Sequence, residues 1–216
     1  QTKPNLRQLP TTDLVQLFAH RNQWWRLQAQ KLVLERQDKS IVPALKKLFA
    51  ENEDAAVRLH VFYALDGLES MNAELVRQAM NDKHPAVRKA GVEMAERFPE
   101  TIALLQKAIN DSSAQVAFQA VLSIGEFPSR QAIQPLSEAI KKYGENKWFR
   151  TAVLSSVPGS SMEFFELLYK QNYFSDKSKG SSVSLLNDLS FIIKKRNKED
   201  EVRKLSEMLN SAGLTP

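Results

Sequence analysis

The chain has 216 residues, of which 43% are hydrophobic and 25% charged, with seven glycines and nine prolines. That balance is ordinary for a folded globular protein, excludes a disordered chain of low hydrophobicity and high net charge, and supplies too few glycines and prolines for a fold of many tight turns. The formal charge of +5 is uneven: residues 1–50 carry nine Lys/Arg against three Asp/Glu, and residues 51–100 carry six against ten, so no continuous basic stripe of the nucleic-acid-binding kind runs along the chain.

In chain order, an N-terminal extension over residues 1–10 is followed by a first apolar-periodic stretch, Leu14/Leu17/Phe18. Next comes Trp24-Trp25-Arg26, with Ala29 and Leu32/Val33 four, seven and eight residues beyond Trp25. Positions 0, 4, 7 and 8 share one face of an α-helix, so this segment reads as an amphipathic helix. The same two-part unit then recurs. Val42/Leu45/Leu48/Phe49 precede Val57-Arg58, with Val61 and Ala64/Leu65 beyond; Leu75/Val76/Ala79 precede Val87-Arg88, with Gly91 and Met94/Ala95. Ile102/Leu105/Ile109 precede Val116-Ala117, with Ala120 and Ser123/Ile124; Ile133/Leu136/Ile140 precede Trp148-Phe149-Arg150, with Val153 and Ser156/Val157. The anchors Trp25, Val57, Val87, Val116 and Phe149 are separated by 32, 30, 29 and 33 residues. Each unit is a helix, a short turn and a second helix, which cannot bury both apolar faces alone and does so by stacking. After residue 158 the repeat degrades. Phe164–Leu168 reads as a helix, Asp176–Ser182 as a polar loop, Val183–Ile193 and Glu199–Asn210 as two further helices, so 159–216 is expected to cap the array.

The turns carry a second pattern. Asn52, Asp82 and Asp111 stand six residues before the arginine position, where short polar side chains cap helices and close turns. Pro85 falls in a first turn and Pro99 and Pro128 just past helix ends. A turn Asp or Asn followed six residues later by Val-Arg resembles the HEAT-repeat family, over roughly residues 11–157. The resemblance implies an all-α, right-handed α-solenoid of about five HEAT-like (armadillo-like) helix pairs with a C-terminal helical cap. It also implies a structural ladder between stacked repeats, built here from Asn52, Arg58, Asp82 and Arg88. His20 and Gly144 replace the acid in the outer repeats and Ala117 replaces one arginine, so the ladder is expected to be weak there. A narrower likeness covers Leu14 to Arg26 and on through Ala29-Gln30 to Leu34-Glu35-Arg36. This stretch is similar to the HEAT segment of large bacterial membrane-associated, dehydrogenase-like proteins that carry a β-propeller and a haem-binding domain. It implies a linker scaffold in a periplasmic or otherwise extracytoplasmic multidomain protein, although no Cys-x-x-Cys-His haem site occurs in this chain.

Candidate chemistry is sparse. Without cysteine there is no disulfide, thiolate metal site or cysteine nucleophile. His20, His60 and His84 sit in three different repeats with no ligand partner at metal-binding spacing. Glu93/Glu96 and Asp200/Glu201 read as solvated helix faces, and neither a Gly-rich phosphate loop nor a Gly-x-Ser-x-Gly elbow is present. No catalytic residue, cofactor or metal site is therefore expected. No apolar run approaches the roughly 18 residues of a membrane span. The chain opens on Gln1 with no signal segment, and is expected to be a piece of a longer protein or a processed mature chain. Trp24 and Trp148 occupy the same repeat frame beside Arg26 and Arg150. Packing is the plainer account of them; stacking on nucleobases is the alternative, in a HEAT-like solenoid of the alkylpurine DNA glycosylase type. The leading expectation is a non-catalytic scaffold whose partner is a protein or an adjacent domain of the same polypeptide. Positions 2 and 6 of the second helices point away from the core face, and at Leu27, Leu59, Tyr63, Phe118 and Leu122 they are apolar or aromatic. Either neighbouring helices bury these side chains, or they form a protein-binding groove interrupted by Lys89 and Glu93.

Overall fold

A computed structural model describes residues 5–176 and 178–211. Parts of the expected extension (1–4), polar loop (177) and C-terminal cap (212–216) lie outside the described residues. Among those described the chain is all-helical, with 76% helix and no strand. None of its helices is long and apolar enough to cross a membrane. It forms two compact units, residues 1–101 and 102–216.

The first unit holds α1 (Thr11–Leu17), α2 (Gln23–Arg36), α3 (Val42–Glu51), α4 (Ala55–Gly67), α5 (Ala73–Met80) and α6 (Pro85–Met94). Each odd helix packs on the even helix after it, and α4 packs against both α2 and α6. The helix starts follow from side-chain caps, which satisfy amide groups that have no intrahelical partner. Asn22 accepts from the Trp24 amide at 2.9 Å, Asp54 from Ala56 at 2.8 Å, and Asn72 from Leu75 at 2.9 Å. His84 accepts from Ala86 at 3.2 Å, with Pro85 in the first turn of α6. The core is built from the predicted stripes: Ala29, Val33, Val57, Val61, Leu65, Val87 and Ala95 are almost fully buried. Trp25 is the exception among the anchors of this unit, being half-buried. At Gly91 a Cβ would come within 2.7 Å of the Met80 amide nitrogen and 2.9 Å of Ala79, so only glycine lets α5 and α6 approach this closely.

The second unit holds α7 (Ile102–Ala108), α8 (Ala114–Ile124), α9 (Ser129–Tyr143), α10 (Lys147–Ser155), α11 (Ser161–Lys170), α12 (Gly180–Arg196) and α13 (Glu199–Ser211). Here α8 packs on α7, α9 and α10, and α11 on α9 and α12. Its core includes Val116, Ala120, Ile124, Leu136, Phe149, Val153, Phe164, Phe165, Leu189 and Leu205. One helix contains a proline, and one boundary differs from the sequence reading. α9 runs through Pro135, which lies inside the helix and is buried. α12 begins at Gly180, three residues before the apolar run, because Ser181 and Ser182 are buried and the Ser181 hydroxyl donates to the Glu145 carboxylate at 2.6 Å.

Candidate functional site

The turn pattern resolves into two separate devices. In four repeats the arginine reaches back to a backbone carbonyl six residues earlier: Arg26 to His20 at 2.8 Å, Arg58 to Asn52 at 2.8 Å, Arg88 to Asp82 at 3.0 Å, Arg150 to Gly144 at 2.7 Å. The acceptor is main chain, so His20 and Gly144 serve as well as an acid. At Gly144 a side chain has no room, since a Cβ would press on the Ile140 backbone carbonyl as well as lie 2.7 Å from the Tyr173 hydroxyl. Where a side chain is present it folds the turn by accepting an amide two residues on, from Asn22 to the His20 ring, Asp54 to Asn52, His84 to Asp82, and Ser113 to Asp111.

The second device joins one repeat to the next. Arg58 Nε and Nη2 donate to the two carboxylate oxygens of Asp82, both at 2.7 Å, with side chains only 5% and 10% exposed. Asp82 is thus the acid of the preceding repeat's arginine, while Arg88 takes its carbonyl. One frame earlier the acid is missing. Arg26 Nε is buried without a hydrogen-bond partner, and the residue standing where Asp82 stands for Arg58 is Asn52.

The candidate groove residues distribute over both units. In the first, α2, α4 and α6 lie in sequence and turn outward Leu27 (46% exposed), half-buried Leu59, Tyr63 (41% exposed), Lys89 and Glu93. Lys89 and Glu93 are 4.0 Å apart. Burial of the ring, then the charges of Glu93 and Asp66, raise the Tyr63 phenol above its ordinary value, so it stays a neutral donor. Phe118 and Leu122 lie on α8 in the second unit, half-buried. There Phe118 meets Phe149 edge-on with centroids 5.3 Å apart.

Trp24 and Trp148 are 48% and 71% exposed. Trp24 leans on Trp25 edge-on at 5.4 Å, and Trp25 in turn lies 5.2 Å from the His20 ring. Arg26 and Arg150, which flank these indoles in sequence, have their guanidinium groups turned into the turn carbonyls. His60 bonds Gln30 at 2.7 Å, and burial followed by the charge of Arg26 lowers its pKa. Among the described residues no group of three or more His, Cys, Asp or Glu could hold a metal ion.

One anchoring contact has no local signal in the sequence. Arg36, in the last turn of α2, reads as a cation suited to a helix C-terminus. Its guanidinium instead gathers the carbonyls of Leu9 at 2.7 Å and Arg7 at 2.9 Å, with the Leu6 carbonyl and Thr11 hydroxyl further out. It thereby pins residues 6–9 against α2.

No family model matches the chain, and no curated protein does. Among solved structures, the X-ray structure of the Escherichia coli protein YibA is similar over 97% of this chain and 98% of that chain, at 13% identity with a TM-score of 0.46.

Proposed function

We propose that the chain is a non-catalytic interaction scaffold, a HEAT-like solenoid segment of a larger extracytoplasmic protein that docks a protein partner or an adjacent domain. The observation that carries this reading is the outward face of α2 and α4, where Leu27 and Tyr63 are exposed on helices that pack together, with half-buried Leu59 one helical turn before Tyr63. Burying such a stripe would be favourable by about 25 cal/mol for each Å² of apolar surface covered. Its charged border, Lys89 and Glu93, is balanced, which suits a partner of mixed surface rather than a polyanion. Exposed Trp24 and Trp148 favour the nucleic-acid alternative. Against it stand the arginines beside them, which are committed to turn carbonyls, and the net acidity of residues 51–100.

The test is a photo-crosslinking amino acid placed at position 27 or 63 of the full-length polypeptide in its native host, with exposed position 69 as control. Adducts to one partner or neighbouring domain from both stripe positions, and none from the control, support the scaffold. Equal yields at all three positions, or none at the stripe, overturn it. Retention on DNA at moderate salt would favour the alternative instead.

A further inference from the structure

A cleft of about 260 Å³ lies between the N-terminal segment and α2. Its floor is Leu6 and Leu32, both 7% exposed. Trp24, Arg7 and Lys31, all exposed, and Glu35 also line it. We propose that this cleft binds an acidic peptide segment with an apolar or aromatic residue beside its carboxylates.

Three observations converge on that occupant. The first is preorganisation: the wall is backbone that the Arg36 guanidinium already holds through the Leu6, Arg7 and Leu9 carbonyls, so binding does not have to order it. The second is charge. Lys31 and Glu35 face each other at 3.7 Å as an exposed pair one helical turn apart. The Arg7 guanidinium has no ion pair among the described residues, which leaves one unmatched cation in the lining. It lies in the stretch that holds nine basic residues against three acidic. The third is size and lining. The volume falls below the roughly 300–1,000 Å³ of sites that enclose small molecules, and fits one or two side chains. Leu6 and Leu32 offer an apolar contact while Asn5 and Gln28 can hydrogen-bond a peptide backbone, and one cation unpaired among the described residues is few for a nucleic acid, which engages many phosphates. The apolar residue would sit on Leu6 and Leu32 against the Trp24 indole, and Arg7 would meet the neighbouring carboxylate as a charge-assisted pair.

This site shares Lys31 and Glu35 with the surface around Leu27 but does not include Leu27 or Tyr63; it goes beyond the scaffold reading, and substitutions at Arg7 and at Tyr63 let each fail alone. The probe is an acetylated pentapeptide of four acidic residues around a central phenylalanine, added to the 216-residue chain labelled with ¹⁵N. The indole N–H signals are assigned by substituting each tryptophan with phenylalanine. The expected result is a saturable shift of the Trp24 indole with the Trp148 indole unmoved. Arg7→Glu and the milder Arg7→Gln should weaken binding at least about tenfold, as the loss of one charge-assisted contact implies, with unchanged melting. Replacing the peptide's phenylalanine by alanine, or its carboxylates by amides, should do the same, while Tyr63→Asp should leave binding intact. No Trp24 shift at millimolar peptide, or an equal shift at the more exposed Trp148, would overturn the site. An oligothymidylate that moves Trp24 as strongly as the peptide would overturn the peptide in favour of nucleic acid.

Discussion

Arg58 uses all three of its nitrogens, two on the Asp82 carboxylate and one on the Asn52 carbonyl. Removing one member of a buried, bidentate pair strands the other away from water, at a cost of about 3–5 kcal/mol. Arg58→Ala is therefore expected to lower the unfolding free energy in urea by that amount. Arg88→Ala, which strips hydrogen bonds from the Asp82 and Lys83 carbonyls, should cost about 1–3 kcal/mol. A change near zero for either variant would refute the role given to that arginine. Arg26 offers the converse experiment. Its Nε is buried without an acceptor, and Asn52→Asp would present a carboxylate from the position Asp82 holds one repeat on. That change should stabilise the chain by about 1–3 kcal/mol; a neutral or lower melting variant would mean that Arg26 and residue 52 do not face each other. His60 sets a pH dependence. Its folded pKa lies below the ordinary histidine value of 6.5, so the unfolded chain takes up the proton first as pH falls. The stability this group contributes is complete above about pH 6.5 and declines as pH drops through the lowered folded value. His60→Gln, which keeps a partner for Gln30, should flatten the fall in melting temperature between neutral and mildly acid pH.

The helices themselves were legible because a one-sided apolar stripe of period 3.6 and a polar cap leave marks in adjacent residues. Val57, Val61 and Leu65 announce both the existence of α4 and its buried face. What was not legible depends on partners more than 20 residues away. The Asp82 carboxylate accepts from Arg58, 24 residues earlier, where the turn pattern alone pointed equally to Arg88, and no spacing rule distinguishes the two. Arg36 is likewise ambiguous until its acceptors are seen. The stripe was only half decided. Leu27 and Tyr63 are exposed while Leu59, Phe118 and Leu122 are half-buried, since position 2 or 6 of a helix is shielded to a degree set by how closely its neighbours stack. Gly91 shows the same dependence at the level of a helix pair. Alanine is worth up to about 1 kcal/mol more than glycine in a helix, yet here its methyl would press on the α5 backbone at Ala79 and Met80. Overpacking of this kind costs about 1–3 kcal/mol, so Gly91→Ala should lower the melting temperature rather than raise it.

At the level of the whole chain, the pairs of elements that carry the packing are neighbours or next-but-one neighbours in sequence. The tertiary bonds agree with this. Arg58 and Asp82 are 24 residues apart, Ser181 and Glu145 36, and Lys204 and Glu166 38. Reach of this kind has a kinetic consequence. Assembly can proceed by adding one helix to a formed neighbour, and little chain entropy is lost before each new contact repays it. The chain should therefore fold as local-contact proteins do, in microseconds to milliseconds, with no need to wait for its ends to meet. Residues 1–101 should also fold without the remainder and melt cooperatively. Stopped-flow refolding of the full chain and of that fragment is the measurement. A main phase lasting seconds, or a fragment that stays unfolded, would mean that a distant contact gates folding and that growth by nearest neighbours is the wrong description of how this molecule reaches its native state.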